Sequence, residues 1–235
     1  MLKTIYTKPS SAQMIMALDE KLLEELDPKG SPVLHLYEWE RPSATYGYFI
    51  QPEKHLDLAK AEGRGVALAR RPTGGGIVFH IWDLAFSFLM PSEHRGFSQN
   101  TLENYRFVNE AVLAAVESLF DLKKAQLIVK DGPSLGPNCQ NFCMARPTQY
   151  DVVHEGMKVA GAAQRKRKQG YLHQGTISLA YPDVELLKEI LLSKEELVAA
   201  MQAYTFAPLG NDHSRLKEIG EEVQKRLIQV LMEKL

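Results

Sequence analysis

Cysteine is nearly absent from this chain of 235 residues: there are two, Cys139 and Cys143. Two are too few for a disulfide framework and suit a reducing compartment. With no second cysteine pair and no histidine at finger spacing, no metal site is expected. No apolar run approaches the roughly 20 residues that cross a bilayer. The opening Met1-Leu2-Lys3-Thr4-Ile5-Tyr6 lacks the apolar core and cleavage site of a secretion signal. A cytoplasmic chain with no membrane partner is therefore expected. Charge of one sign is lacking too: 28 Lys and Arg against 29 Asp and Glu leave a formal −1, with no bulk pull toward nucleic acid. Repeats, low-complexity tracts and long Pro/Ser linkers are missing, so residues 1–235 are expected to form a single domain. What is present is an ordinary globular composition, 45% hydrophobic and 24% charged, enough to bury a core.

The apolar spacing organises the rest. Met14, Ala17, Leu18, Leu22 and Leu26 recur on one helical face within Ser11–Leu26. Pro32–Trp39 reads as a strand broken by Arg41-Pro42-Ser43, and Val66–Ala69, Ile77–His80 and Ala85–Met90 read as adjacent short strands. Asn100 with Glu103 predicts a capping-box helix start, followed by Tyr105, Val108, Val112, Val116 and Leu119 on one side; Ser193 with Glu196 repeats that pattern. Tyr150–Val153 and Met157–Ala160 predict a hairpin turning at His154-Glu155-Gly156. The last helix predicts an inner face of Leu216, Ile219, Val223, Leu227 and Val230. Strands and helices come in blocks without regular alternation, which predicts an α+β domain with a mixed or antiparallel sheet flanked by helices.

Two stretches carry chemistry. Arg70-Arg71-Pro72-Thr73-Gly74-Gly75-Gly76-Ile77-Val78-Phe79-His80 places three glycines between apolar runs, although each glycine gives up more chain entropy on folding than any other residue. A hairpin or bulge would explain the glycines alone; the flanking arginines and histidine favour a loop that cradles a ligand. The second stretch runs from Asn141 to Leu179. Lys158 stands inside an apolar strand before Val159-Ala160-Gly161-Ala162-Ala163. Either its face of the strand is solvated, or it borders a groove where the small residues let a molecule lie against backbone. Cys143 is an inert buried hydrophobe unless a cation or helix N-terminus activates it. His173, before Gln174-Gly175-Thr176, reads as structural or catalytic. Arg165-Lys166-Arg167-Lys168 is either a solvated loop tip or a dock for an acidic partner.

Together these stretches resemble the lipoate-protein ligase A/octanoyltransferase superfamily, which shares its catalytic fold with biotin protein ligase. The resemblance runs from Ser11–Glu20 through Leu36-Tyr37-Glu38-Trp39, Gly47–Gln51, Arg70–Gly76 with Phe79-His80, and Lys158–Gln164 with His173–Thr176. It covers residues 10 to 180, leaving a less diagnostic helical tail over about 181–235. Cys143-Met144-Ala145-Arg146-Pro147-Thr148-Gln149-Tyr150-Asp151 is similar to the Cys-x-x-x-Pro-Ser-x-Tyr-Glu loop of the cysteine-dependent octanoyltransferases. It departs from the Gly-Arg-Asn-Asp loop of the ATP-dependent ligases. From the short stretch after Ala180, a full accessory domain of those ligases beside its helices is not expected.

The resemblance implies transfer of an octanoyl or lipoyl group through a Cys143 thioester onto a lysine of a carrier domain. Lys158 would steady the developing charge, an effect worth roughly 10²–10³ in rate. Arg71, Thr73, Gly74, Gly75, Gly76, His80, Gly161, Ala162, His173 and Gly175 would form the substrate site. The implied partners are acyl carrier protein as donor and, as acceptors, lipoyl domains such as glycine cleavage H protein or 2-oxoacid dehydrogenase E2. No cofactor is implied for the transferase. The alternative, ATP-dependent ligation through lipoyl-AMP, implies ATP and Mg; a non-enzymatic binder of acyl groups is the third possibility.

Overall fold

A computed structural model describes residues 1–134 and 136–235. Ten strands and six α-helices follow in chain order: β1 (Lys3–Ser10), α1 (Ala12–Glu24), β2 (Val33–Trp39), β3 (Ser43–Tyr46), α2 (Leu58–Gly63), β4 (Ala67–Arg70), β5 (Ile77–His80), β6 (Asp83–Pro91), α3 (Thr101–Phe120), β7 (Ala125–Leu127), β8 (Val152–His154), β9 (Met157–Arg167), β10 (Gly170–Ser178), α4 (Val184–Ile190), α5 (Lys194–Tyr204) and α6 (Leu216–Lys234). A seven-stranded sheet runs β1-β2-β6-β10-β9-β8-β7, and a three-stranded sheet runs β4-β3-β5. β1 and β2 pair in parallel, as do β3 and β4, while the other pairs are antiparallel. The sheet is therefore mixed and flanked by helices, as the block pattern predicts.

The central strands β6 and β10 of the large sheet are buried on both faces. Along β6, Leu84, Phe86, Phe88 and Met90 join one core with Val108, Val112 and Val116 of α3 and Ile219, Val223 and Leu227 of α6. The alternate residues Ala85 and Leu89 face α1, in separate clusters with Ile15 and with Leu23. This is the period-two alternation of a strand read onto two cores at once. The small sheet, whose β4–β5 connection carries the glycines, packs on two sides: Ala67 and Ala69 of β4 join the Ile15 cluster of α1, while Ala44, Ile77 and Phe79 share a cluster with α4, α5 and the Cys139–Ala145 segment. The helical tail thus serves both cores.

Several expectations need correction. β1 is additional to the expected strands: its mostly exposed or half-buried residues give no apolar alternation. Asn100 caps α3 by accepting from Leu102 N, but Glu103 turns to Arg106 and the Asn100 N–H goes to Ser98. Ser193 makes no side-chain cap bond; Glu196 instead accepts from Asn138 in the segment leading to Cys143. On α6 the buried row ends at Leu231 rather than Val230. The predicted hairpin holds: Glu155 and Gly156 turn with φ of +51° and +85° between the paired His154 and Met157, as a two-residue hairpin loop needs. Among the described residues no helix is long and apolar enough to cross a membrane. Nor is any group of three His, Cys, Asp or Glu side chains among them placed to hold a metal.

Candidate active site

The glycine run follows β4 and leads into β5, and both of the roles that suit glycine occur there. Gly75 has a φ of +83°, the left-handed region that favours glycine. The other role is close approach: a Cβ on Gly47 would lie 2.0 Å from the Gly75 carbonyl oxygen, and one on Gly76 would lie 2.4 Å from that of Asn141. The loop is thereby pressed between the β3 exit and the segment that carries Cys143.

Arg71 holds this loop from inside. It is only 4% exposed. Its Nε donates to Gly74 O at 3.1 Å, and Nη2 donates to Gly74 O and Gly76 O, both at 2.8 Å. Nη1 donates to Thr45 O at 3.3 Å and to Thr45 Oγ1 at 3.1 Å. A guanidinium has five N–H groups, so its donors are committed to the chain's own oxygens. One further contact runs outward: Nη2 reaches the Cys143 Sγ at 3.9 Å.

Cys143 opens a short 3₁₀ turn (Cys143–Ala145) behind a second one (Pro137–Asn141). Phe142 and Ala145 anchor it in the core, and the Thr205 hydroxyl donates to Met144 O at 3.0 Å. Glu196 of α5 accepts from Asn138 N and Nδ2 at 3.1 and 2.9 Å and from Cys139 Sγ at 3.6 Å. The Asn138 amide holds the Glu196 carboxyl below the usual carboxylate range. Burial, with Glu196 beside it, pushes the Cys139 thiol up. The two cysteines differ accordingly: Cys139 is fully buried and Cys143 half-buried.

The Cys143 side chain borders a narrow cavity of about 30 Å³ between α1, the small sheet and the large sheet. Met16, Tyr37 and Val78 form its apolar wall, Gly161, Ala162 and Ala163 its floor along β9, and Arg71, His80, Gln174 and Thr176 its polar points. Its lining, mostly apolar with a few placed polar groups, has the character of small-ligand sites. Of the residues expected to bind substrate, Arg71, His80, Gly161, Ala162 and Gly175 line it. Thr73, Gly74 and Gly76 do not. Thr73 is buried and donates to Gln174 Oε1 at 2.7 Å, while Gly74 and Gly76 supply carbonyls to Arg71. Gly75 stands behind the wall, where a Cβ would come within 2.9 Å of Arg71 Nη2 and 3.9 Å of Cys143 Sγ.

His173 is a correction. On β10, Tyr171 and Ile177 belong to the α3 core while Gln174 reaches α1, and the odd-numbered His173 goes with the first set. It is fully buried against Phe86 and Tyr105, with Nδ1 2.8 Å from Gln164 Nε2, and is not among the cavity residues. Burial pushes its pKa down to about 3.

Lys158 is not on a solvated face either. It is 3% exposed and its Nζ lies 2.7 Å from Asp151 Oδ2, which also accepts from Thr148 N and Oγ1. The pair folds over Gly161, where a Cβ would meet Lys158 Nζ at 2.5 Å and Asp151 Oδ1 at 2.6 Å. Gly161 therefore serves two surfaces, the cavity and the ion pair.

Other polar groups escape notice in the sequence. Gln174 Nε2 donates to Asp19 Oδ2 at 2.6 Å, and Asp19 also binds Ser87 and His35. Asp19 follows Ile15 by one helical turn, so a charge facing inward was the available signal.

The lipoyl protein ligase A/B catalytic domain family matches residues 11–231 of this chain. An octanoyltransferase LipM of Carboxydothermus hydrogenoformans is 32% identical over 180 residues, 76% of this chain and 65% of that protein. The matched stretch thus spans just under two thirds of that relative's length. The octanoyltransferase LipM of Staphylococcus aureus is 29% identical over 89% of this chain and 79% of its own. Among solved structures, a lipoate-protein ligase A bound with ATP is 25% identical with a TM-score of 0.73, covering 99% of this chain and 84% of that one. The fold is also that of a bipartite lipoate protein ligase from Thermoplasma acidophilum, at a TM-score of 0.72, 24% identity and coverage of 99% and 82%. The glycine loop, the β9 floor and the cysteine turn all lie within the matched span, and the chain belongs to the lipoyl protein ligase A/B catalytic domain family.

Proposed function

We propose that this chain, as a single catalytic domain over 1–235, is an acyltransferase that moves an octanoyl or lipoyl group through a Cys143 thioester onto a specific lysine of a carrier domain. The observation that carries this reading is the half-buried Cys143 sulfur at the cavity wall, facing the Arg71 guanidinium at 3.9 Å. The similarity to proteins named octanoyltransferase LipM supports it. A thiolate is the reacting form of cysteine, and the half-buried sulfur stands where an acyl group in the cavity would meet it.

In the first half-reaction the Cys143 sulfur attacks the thioester carbonyl of an acyl donor, taken as an acyl carrier protein. The new S–C bond forms, the donor's C–S bond breaks, and the donor leaves as a thiol carrying the proton. The lysine of an acceptor such as H protein or an E2 lipoyl domain then attacks the same carbonyl. The C–N amide bond forms, the C–Sγ bond breaks, and the proton lost by the amine restores the thiol. Splitting the transfer this way suits cysteine. The acyl chain would lie along Gly161-Ala162-Ala163, each buried CH₂ contributing about 0.8 kcal/mol. Lys158 would supply positive charge from behind Gly161, and the compartment would be the cytoplasm.

The transferase needs no cofactor. The alternative is ligation with ATP and Mg, favoured by the likeness to a ligase bound with ATP. The cations at and behind the cavity support the transferase: Arg71 in its lining has its N–H groups on Gly74, Gly76 and Thr45, and Lys158, behind Gly161 and outside the lining, is paired with Asp151. Intact-protein mass after mixing with octanoyl-acyl carrier protein tests the reading. A hydroxylamine-labile adduct on Cys143, lost in Cys143→Ser, is expected. No adduct, with acceptor lipoylation and pyrophosphate release that require lipoate and ATP, would make the chain a ligase.

A further inference from the structure

The geometry points to Thr45 as a positioning residue for the proposed acyl transfer: its hydroxyl, aligned by His80 and Asp83, holds the Arg71 guanidinium against the Cys143 sulfur. This inference rests on the reading in which Cys143 carries the acyl group.

The residues come together because β3 and β5 pair antiparallel. Ser43 lies opposite His80 and Thr45 opposite Val78, so Thr45 and His80 are diagonal neighbours on one face. Thr45 Oγ1 lies 2.9 Å from His80 Nε2, and His80 Nδ1 lies 2.8 Å from Asp83 Oδ2. Asp83 Oδ2 also accepts from the Thr176 hydroxyl. Trp39 stacks on the His80 ring at 4.6 Å and fixes its plane. Thr45 is 2% and His80 8% exposed, so water does not compete for these bonds.

Arg71 Nη1 can only donate, so Thr45 Oγ1 accepts from it. In the tautomer whose proton sits on Nδ1, toward the Asp83 carboxylate, His80 Nε2 accepts the Thr45 hydroxyl hydrogen. The Asp83-His80-Thr45 chain thus presents a lone pair of fixed direction to Nη1. The other Arg71 acceptors are backbone carbonyls, which place the side chain along the loop. Thr45 Oγ1 is the one side-chain oxygen among them, and it sits on the Nη1 arm opposite the Nη2 that faces sulfur.

The test compares Thr45→Val, which keeps the shape and removes the hydroxyl, with Thr45→Ser, which keeps the hydroxyl. Two quantities are read: Cys143 alkylation by iodoacetamide at pH 7, and the kcat and KM of octanoyl transfer. In Thr45→Val, alkylation is expected to slow about 5–10-fold, as a thiol that has lost its cation would. Its kcat is expected to fall about tenfold with donor KM within about twofold, the pattern of a group acting on the reacting centre rather than on binding. Thr45→Ser restores both. If Thr45→Val does not fold, His80→Phe, which keeps the stack on Trp39 and removes the Thr45 acceptor, carries the same alkylation expectation. Wild-type alkylation in the folded valine variant, or a serine variant no better than valine, overturns the proposal. Transfer persisting in Cys143→Ser would instead overturn the acyl reading, and the alkylation rates would still judge Thr45.

Discussion

Lys158 and Asp151 form an ion pair 2.7 Å apart in which both side chains are less than 5% exposed, closed over the bare backbone of Gly161. Two opposite charges removed from water together are tolerable; one left alone is not. Asp151→Asn or Lys158→Met is expected to destabilise the fold by about 3–5 kcal/mol, whereas Lys158→Met combined with Asp151→Leu recovers much of it. Urea denaturation of the two single variants and the double one checks this. A double variant as unstable as the sum of the singles would mean the charges do not act as a pair.

Gly175 faces the α3 core with no room for a side chain: a Cβ would lie 2.5 Å from the Phe86 ring. Gly175→Ala is expected to destabilise by about 1–3 kcal/mol through overpacking. Adding Phe86→Leu should relieve it, which thermal melting would show as a partial return of Tm. No relief would mean that the alanine strains the β10 backbone instead.

His173 makes the protein acid-sensitive. Its pKa is pushed down to about 3 by burial, while an unfolded histidine titrates near 6.5. Between these values the unfolded chain binds the extra proton, so stability falls as pH drops from 6.5 toward 3, by up to about 1.4 kcal/mol per pH unit. His173→Phe is expected to flatten the fall in Tm between pH 6.5 and 4.5. An unchanged slope would assign the acid sensitivity to another group.

Glu196 ties α5 to the turn before Cys143 and covers the Cys139 thiol. In the native protein a thiol reagent is expected to modify Cys143 rapidly and Cys139 only on unfolding. Glu196→Ala should let Cys139 react in the folded state and lower Tm. Thiol counting by mass before and after denaturation reads both. A Cys139 that stays unreactive would show that the core around it, not Glu196, protects it.

The elements were legible wherever one side of the chain meets a core. β2, β5, β6 and α6 stand where their apolar residues place them, and the glycine run declared a close approach because little else justifies its entropy. The α1 helix also stands where expected, but its predicted face is a correction: Ile15, Met16, Asp19 and Leu23 turn inward while Met14 and Ala17 are exposed. β1 stayed hidden because its residues are largely exposed or half-buried and carry no such period. The capping pair at Ser193 and Glu196 misled for a related reason: a local motif competes with distant partners, and Asn138 won.

The order of residues dictates which chemistry is on offer: a cysteine, a lysine strand with small neighbours, and a glycine loop between arginines and a histidine. Which of these groups meet is set by packing and strand register. Strand register sends His173 into the α3 core and its neighbour Gln174 to Asp19, 155 residues away, since a single step along a strand exchanges its faces. Packing brings Arg71 to Cys143 across 72 residues and gives Lys158 a buried carboxylate in place of solvent. Local pattern records the period of the backbone, while a charged or polar side chain's partner depends on what the fold carries to within a few ångströms of it.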